Sequence, residues 1–299
     1  MSKEHIHSSN NVRLTKLYVV ATPIGNLEDL TFRASKVLKA IEIVACEDTR
    51  HTRKLLSAIG SKAKTISCFM HKEHQCASQV ISYLEQGIDV AFVSDAGAPA
   101  ISDPGARLVA TVREAGFKII PIPGPSSITT ALSVAGISAD TFYFGGFLPA
   151  KGKERKKALQ VLKAQECAIV LLESPHRILT TLKDLEDYLG NRKIFLAREM
   201  TKIYETYLYG YLSEIKREIS QTKIRGEFTL VIEGAQKKEK VNQLSELDIS
   251  KLAERMLQSG LSVKDSAALL SEITGKSKKS FYEIALNLSK NMEIKKNGQ

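Results

Sequence analysis

Residues 88–107 read Ile88-Asp89-Val90-Ala91-Phe92-Val93-Ser94-Asp95-Ala96-Gly97-Ala98-Pro99-Ala100-Ile101-Ser102-Asp103-Pro104-Gly105-Ala106-Arg107. An apolar, β-branched run stops abruptly in a loop holding two Asp, two Gly, two Pro and two Ser. A buried strand that empties into a polar, glycine-rich loop is where open α/β sheets place their ligand sites. Asp95 and Asp103 can accept hydrogen bonds from hydroxyls or amines, and Gly97 and Gly105 allow close backbone approach or positive φ. Pro104 suits the first turn of a following helix, with Asp103 as its expected N-cap. One S-D-x-G would pass for an ordinary turn. Two such clusters within thirteen residues point to a ligand loop.

Outward from this loop, strand-like runs alternate with helical patterns. Strands are expected at Leu17–Ala21, Ile43–Cys46, Thr65–Cys68, Val90–Val93 and Lys118–Ile122, with helices near 31–40, 50–59, 72–86 and 104–115. This alternation predicts a largely parallel sheet with helices on both faces. Pro121-Ile-Pro-Gly-Pro125 breaks the pattern and reads as a linker. A second α/β unit follows, with a helix near 126–136 and strands at Thr141–Gly145, Ala168–Glu173, Lys193–Arg198, Thr206–Gly210 and Glu227–Glu233. Its further helices fall near 153–164, 175–188 and 212–220. Beyond the charged stretch at 236–240 no strand signal remains. Helices are expected near 245–259, 263–273 and 278–290, stopped by Gly260 and Gly275. Val263, Ala267, Leu270, Ile273, Phe281, Ile284, Ala285 and Leu288 would form their apolar stripes.

The whole chain sets bounds. Its 299 residues allow one or two full-sized domains, and 43% hydrophobic with 25% charged residues is ordinary for a globular protein. No apolar run reaches membrane-spanning length, and Met1–Asn11 is polar without an h-region, so neither signal peptide nor anchor is expected and a cytoplasmic location is. Cys46, Cys68, Cys76 and Cys167 form no C-x-x-C and read as reduced thiols. Cys68, His71, His74 and Cys76 match no zinc spacing, so no metal site is expected. The net charge is +10, which suits a nucleic-acid partner without proving one. Lys151–Lys157 holds five cations against one anion, and residues 236–299 hold twelve against eight.

Further strand ends carry chemistry. Thr22-Pro23-Ile24-Gly25-Asn26-Leu27-Glu28-Asp29 follows the first strand, but neither G-x-G-x-x-G nor G-x-x-x-x-G-K-[ST] occurs. Glu47-Asp48-Thr49-Arg50 sets an acidic pair and its charge partner at the second strand's carboxyl end. A helix N-cap with a surface ion pair is the plainer reading of the same residues. Pro123-Gly-Pro-Ser126-Ser127 opens a helix whose N–H groups and hydroxyls could face a ligand between the domains. Phe144-Gly-Gly-Phe-Leu-Pro149 runs into the basic stretch, where rings can stack on bases and cations neutralise phosphates. A solvated helix face is the alternative. Glu173-Ser-Pro-His176-Arg177 and Arg198-Glu-Met-Thr-Lys202 also follow strands, and should lie on the same side.

Taken in order, T-P-I-G-N-L-x-D, E-D-T-R, S-D-A-G-x-P-x-x-S-D-P-G, P-G-P-S, G-F-L-P, E-S-P-H-R, R-E-M-T-K-x-Y-E and R-G-E-F closely resemble the ribosomal RNA small-subunit methyltransferase I family. These are 16S rRNA cytidine-2′-O-methyltransferases of the class III, tetrapyrrole-methylase-like group. The resemblance runs from about residue 17 to 235, with a weaker likeness in the basic helical tail. It departs at His74-Gln75-Cys76, where the family has H-N-E, and at Ser127, where Ala is common. The first ten residues match nothing in it and are expected to be disordered.

The resemblance implies an α/β fold of two αβα domains with the cofactor cleft between them, plus a small C-terminal helical extension. The implied boundaries are a disordered 1–15, an N-terminal domain 16–123, a C-terminal domain 124–235 and the extension 236–299. It implies S-adenosyl-L-methionine as cofactor, a cytidine ribose in the decoding region of 16S rRNA or the small ribosomal subunit as substrate, no membrane, and a homodimer. Thr22, Pro23, Asp95, Ala96, Gly97, Ser102, Asp103, Ser126 and Ser127 would hold the cofactor. Transfer to a weakly acidic 2′-OH calls for alignment and for a base or an electropositive environment. Base candidates are Glu47, Asp48 and Glu173 in that order. Arg50, Lys151 and Lys202 could orient the target phosphate or lower the hydroxyl's pKa, and Lys151, Lys153, Arg155, Lys156, His176 and Arg177 would meet RNA. The competing readings are a tetrapyrrole or other small-molecule methyltransferase of the same superfold, which needs no basic run, and a non-catalytic RNA-binding protein.

Overall fold

The computed structural model describes residues 15–69, 73–235 and 246–297. The expected disordered N-terminus lies outside these residues, Thr15 apart. Residues 1–235 and 236–299 separate into two compact units.

The first unit holds two five-stranded sheets. In the first, β1 (Lys16–Val20), β2 (Ile43–Cys46), β3 (Lys64–Ser67), β4 (Val90–Val93) and β5 (Lys118–Ile122) run in the order β3-β2-β4-β1-β5. Every pairing is parallel. Pro121 is tolerated because β5 is an edge strand, with no further partner for the missing N–H. Helices α1 (Phe32–Ala40), α2 (Thr49–Ala58), α3 (Glu73–Glu85) and α4 (Ala106–Glu114) supply the crossovers. Both faces of the strands are buried, so successive residues feed opposite cores. Ala45, Val90 and Phe92 pack with Leu108 and Val112 of α4, whereas Val44, Ala91 and Val93 pack with Leu38 of α1 and Leu55 of α2. That is the αβα sandwich the β-branched runs predict.

After the linker, α5 (Ser127–Val134) leads to the second sheet: β6 (Phe142–Phe147), β7 (Ala168–Glu173), β8 (Lys193–Arg198), β9 (Thr206–Tyr211) and β10 (Phe228–Ile232). Their order is β6-β7-β10-β8-β9. Only β6 and β7 are parallel; β10 lies antiparallel between β7 and β8, and β9 closes the edge antiparallel to β8. Helices α6 (Gly152–Lys163), α7 (Ile178–Leu189) and α8 (Leu212–Ser220) cover one face over Leu171, Leu196 and Leu230. On the other face, α5 packs on Val170, Phe195 and Val231. Tyr207, Tyr209 and Tyr211 alternate outward along β9 and are exposed.

Two expectations are corrected. Asp103 is not the N-cap of α4, because that helix starts later, at Ala106, after Gly105 with φ 131°. Cys68 and Cys76 are not separate thiols. The Cα atoms of Cys68, just after β3, and Cys76, in α3, lie 5.3 Å apart and the pair forms a disulfide, while Cys46 and Cys167 are free.

The second unit comprises α9 (Glu246–Gln258), α10 (Val263–Thr274) and α11 (Lys278–Asn297). Ser262 caps α10 by accepting from the Asp265 N–H, and Gly275 ends it in the left-handed region at φ 69°. Ile249, Ala253, Ala267, Leu270, Phe281 and Ala285 form its core. Ile284 and Leu288 pack against it, Val263 is half-buried outside it, and the Ile273 side chain lies outside those described. Among the described residues no helix is long and apolar enough to cross a membrane.

Candidate active site

The strand order turns at β1 and β4, which are neighbours whose crossovers leave in opposite directions, so a crevice opens beyond their carboxyl ends. The loops there are locked together. Thr22 and Gly97 exchange backbone hydrogen bonds at 2.9 and 3.0 Å, and the buried Thr22 hydroxyl donates to the Ser94 carbonyl. A cleft of about 350 Å³ lies at this end of the molecule, within the usual size range of small-molecule sites. Ala96, Gly97, Ser102, Asp103, Ser126 and Ser127 all line it. Thr22, Pro23 and Asp95 do not. Thr22 is spent on the loop lock, Ile24 takes the wall position in its stead, and Asp95 turns away to accept the Asp48 N–H at 3.2 Å.

The second sheet supplies the opposite wall. Phe147, Leu172 and Glu173 come from β6 and β7, Glu199 and Met200 from the turn after β8, and Glu227, Phe228 and Thr229 from the start of β10. Because β7 and β8 both run antiparallel to β10, their carboxyl ends share one side, as expected. The loops after β1 and β8 touch tightly here. A Cβ on Gly25 would lie 2.5 Å from Lys202 Cγ, 2.7 Å from Thr201 Oγ1 and 3.0 Å from the Met200 carbonyl, so only glycine fits.

Strain is concentrated at this cleft. Among the described residues, the non-glycine positions at positive φ are Ala100 (66°), Ser102 (63°), Glu199 (54°) and Thr201 (67°), two in each facing loop. Each costs on the order of 1–3 kcal/mol and persists only where surrounding contacts enforce it. The β-branched Thr201 is the most costly of them, and its hydroxyl is buried without a hydrogen-bond partner.

The carboxylates fall into distinct environments. Burial pushes the Glu47 carboxyl above its ordinary value, and Asp95, Asp103 and Asp48 push it the same way. Asp103 is likewise raised, first by burial and then by Asp95. Asp48 is opposite in character. It caps α2, takes a paired hydrogen bond from Arg50 and is held at about 2. The plainer sequence reading of Asp48 and Arg50 thus holds, since the two neutralise each other at the surface. Neither they nor Glu47 lines the cleft; Glu47 sits beside it, close enough to feel Asp103. Lys202 donates to Glu199 at 2.7 Å and Glu227 at 3.2 Å. Burial works against its charge, yet the two carboxylates raise its pKa, while Glu199 is lowered despite its own burial.

Glu173 lines the cleft but is already engaged. Its oxygens accept from the Ser174 N–H, from Thr181 Oγ1 at 2.6 Å, and pair with Arg177 at 3.4 Å. Arg177 donates in turn to the Leu148 and Pro149 carbonyls. Arg155 corrects a sequence expectation. It is 6% exposed, and its guanidinium donates to Asp184 at 2.7 Å, Thr181 at 3.0 Å and the Pro149 carbonyl at 3.0 Å. It fixes the Gly-Phe-Leu-Pro turn from within and cannot meet a phosphate. Lys151, Lys153, Lys156 and His176 are exposed, and Arg177 is half-buried in the clamp.

The sequence reading missed Ile24, Phe147, Met200, Glu199 and Glu227. Glu199 lay within a quoted motif, and Glu227 within R-G-E-F, so their polarity at strand ends was a usable signal. The apolar wall residues also lay in quoted motifs, with Phe147 read as a base-stacking ring, but their apolar character alone did not mark them as cleft wall. Among the described residues, no group of three or more His, Cys, Asp or Glu is placed to hold a metal ion.

A family model described as tetrapyrrole (corrin/porphyrin) methylases matches residues 16–216. The chain is 45% identical over 290 residues to a Neisseria meningitidis serogroup B protein named ribosomal RNA small subunit methyltransferase I, covering 96% of this chain and 99% of that one. It is 42% identical to the protein of the same name from Escherichia coli O157:H7, covering 94% and 98%. Among solved structures, the cobalt precorrin-4 methyltransferase CbiF aligns with TM-score 0.58 at 17% identity, over 77% of this chain and 98% of that one. A Thermus thermophilus uroporphyrin-III C-methyltransferase complexed with S-adenyl homocysteine aligns with TM-score 0.52 at 18% identity, over 73% and 96%. These structural likenesses speak for the fold alone.

Proposed function

Because the chain belongs to the tetrapyrrole (corrin/porphyrin) methylase family, together with the ribosomal RNA small subunit methyltransferase I proteins, we propose that it methylates a cytidine ribose 2′-oxygen in the decoding region of 16S rRNA, using S-adenosyl-L-methionine. The observation that carries this reading is the cleft. It is walled jointly by the loop from Ala96 to Asp103, by Ser126 and Ser127, and by the strand ends of the second sheet. Its lining suits such a cofactor. Ile24, Ile101, Phe147 and Met200 offer apolar surface for an adenosyl group, Ser102, Ser126 and Ser127 offer hydroxyls, and Asp103 and Glu199 offer negative charge to a cationic sulfonium and amine. Gly97 lets the backbone come close. When bound, the cofactor supplies a methyl group activated by the adjacent positive charge.

The chain's own residues position the oxygen and take its proton. Glu47 is the best base, since its raised pKa matches the Brønsted optimum better than Asp48, which Arg50 keeps at about 2. Glu173 is occupied by Thr181 and Arg177 and serves as a wall. Lys202, held between two carboxylates, orders the Glu199 turn. Exposed Lys151, Lys153, Lys156 and His176, with the exposed Phe147 ring, are the RNA-facing set. The domains are residues 16–123 and 124–235, with 236–299 a basic extension that adds RNA affinity. A ribosomal substrate implies action in the cytoplasm. The open edge of β9 with its exposed tyrosines supports a homodimer, checked by sedimentation velocity.

The test is transfer of labelled methyl to small-subunit particles, to naked 16S rRNA and to a porphyrinogen. Label in RNA at an alkali-resistant cytidine linkage supports the reading. Cofactor binding without label in any RNA refutes it.

A further inference from the structure

Helix α4 opens against the cleft loop with no cap of its own. Gly105 occupies its N-cap position, offers no side chain, and leaves the first N–H groups without a local acceptor. The acceptor arrives from another helix. The Glu73 carboxylate, on the first residue of α3 and 32 positions away in the chain, takes the Gly105 N–H at 2.5 Å. No larger residue could supply the missing cap at this position, since a Cβ there would lie 2.3 Å from the Phe92 ring. The loop is therefore pinned at both ends, by the Thr22–Gly97 lock before it and by Glu73 after it. Between the pins sit Ala100 and Ser102 at φ 66° and 63°, and Ser102 and Asp103 face the cleft. Strained residues of this kind need surroundings that over-determine them.

Glu73 is itself secured. One turn along α3, Cys76 is joined to Cys68, which directly follows β3 and whose N–H donates to the Cys46 carbonyl at 2.8 Å. The disulfide thus staples the start of α3 to the sheet beneath the ligand loop. We propose that Glu73 is a positioning residue for the cofactor cleft, acting through the Gly105 N–H, and that the Cys68–Cys76 disulfide holds Glu73 in place. Glu73 is not among the residues that line the cleft, so its effect reaches the ligand through the backbone of Ser102–Gly105. A small-molecule dithiol would undo the staple by exchange. The reagent is oxidised to its cyclic disulfide, the Cys68–Cys76 bond is reduced, and two protons and two electrons pass to the cysteines as two thiols.

This inference rests on the reading of the cleft as an S-adenosylmethionine site, and calorimetry with that cofactor separates the two. Wild-type chain that binds none overturns the functional reading, and the inference falls with it. If wild type binds, Glu73→Ala should weaken affinity about tenfold, the order expected for one charge-assisted hydrogen bond, and raise the cofactor KM with kcat at saturation nearly unchanged. Glu73→Gln, whose amide oxygen still accepts the N–H, should recover most of the loss. Hydrogen exchange at the Gly105 amide should accelerate in Glu73→Ala and not in Glu73→Gln, even if stability falls in both. Complete reduction of the wild type, verified as a gain of two hydrogens in mass, should weaken cofactor binding by several-fold. Unchanged affinity in Glu73→Ala, failure of Glu73→Gln to rescue, or unchanged affinity after full reduction each overturns the proposal.

Discussion

Replacing Arg155 by methionine separates two roles that the sequence allows for one residue. In the structure its guanidinium serves Asp184, Thr181 and the Pro149 carbonyl from a site only 6% exposed. Removing one partner of a buried ion pair costs about 3–5 kcal/mol, chiefly through the charge left behind. Here that charge belongs to Asp184, whose side chain is 27% exposed and can recover water. Thr181 keeps its bond to Glu173, and the Pro149 carbonyl keeps a long contact to Arg177 at 3.4 Å. The loss should therefore sit at the lower end, about 3 kcal/mol. For a unit of this size, 1 kcal/mol moves Tm by about 2–4 °C, so a fall of roughly 6–12 °C is expected. The salt dependence of RNA binding should not change. Differential scanning calorimetry and an RNA titration over a salt series measure both. If Tm stays within about 2 °C of wild type while the log–log salt slope falls by roughly 0.7–0.9, Arg155 meets a phosphate and the burial argument is wrong.

Three further outcomes follow from the same geometry. Glu47→Gln should lower the single-turnover rate about 10²–10⁴-fold, whereas Asp48→Asn, already neutralised by Arg50, should cost far less. In the wild type, rate should rise with pH and level off above the raised Glu47 pKa. A carboxylate raised on folding contributes stability below its unfolded pKa and loses it as pH climbs through the folded one, so Glu47→Gln should also raise Tm at neutral pH. A thermal scan showing lower Tm would contradict that sign. Gly25→Ala puts a methyl against Lys202 Cγ and the Met200 carbonyl, and overpacking of this kind costs about 1–3 kcal/mol. Its effect should be weaker cofactor affinity together with lower Tm, and a neutral variant would mean that the loops after β1 and β8 are less closely joined. Deleting residues 240–299 should flatten the salt slope of RNA binding and leave cofactor affinity untouched; an unchanged slope would remove the extension from the RNA interface.

Much of the architecture could be read in advance because both faces of the strands are buried, which writes them as short apolar runs between Gly, Pro and Asp. Val90–Val93 and Ala168–Glu173 are of this kind, and their boundaries agree with the sequence reading. What one-dimensional spacing cannot express is who meets whom. The antiparallel insertion of β10 between β7 and β8, the Glu173–Thr181–Arg155 network and the Cys68–Cys76 pairing all depend on folding. Arg155 was legible on closer reading, since it shares an i, i+4, i+7 stripe with Leu159 and Leu162, the buried face of α6. Its basic neighbours masked that periodicity. Thr22 misled for the opposite reason. A hydroxyl at a strand end looks like a ligand group, yet a buried loop–loop junction also needs a donor for the Ser94 carbonyl.

The place of β10 in its sheet also bears on the order in which the chain can fold. It is the last strand of the described residues, all five of its positions are buried, and it alone joins β6–β7 to β8–β9. Until residue 232 has emerged during synthesis, the second sheet exists only as two separate strand pairs, each marginal in water. The first sheet needs nothing beyond residue 122. At roughly 5–20 residues per second, the ribosome takes on the order of 5–20 s to span that interval. Throughout it, the apolar faces that β10 will cover stay open beside a finished neighbour, so the half-made protein is most exposed to misassembly while its first half is already native.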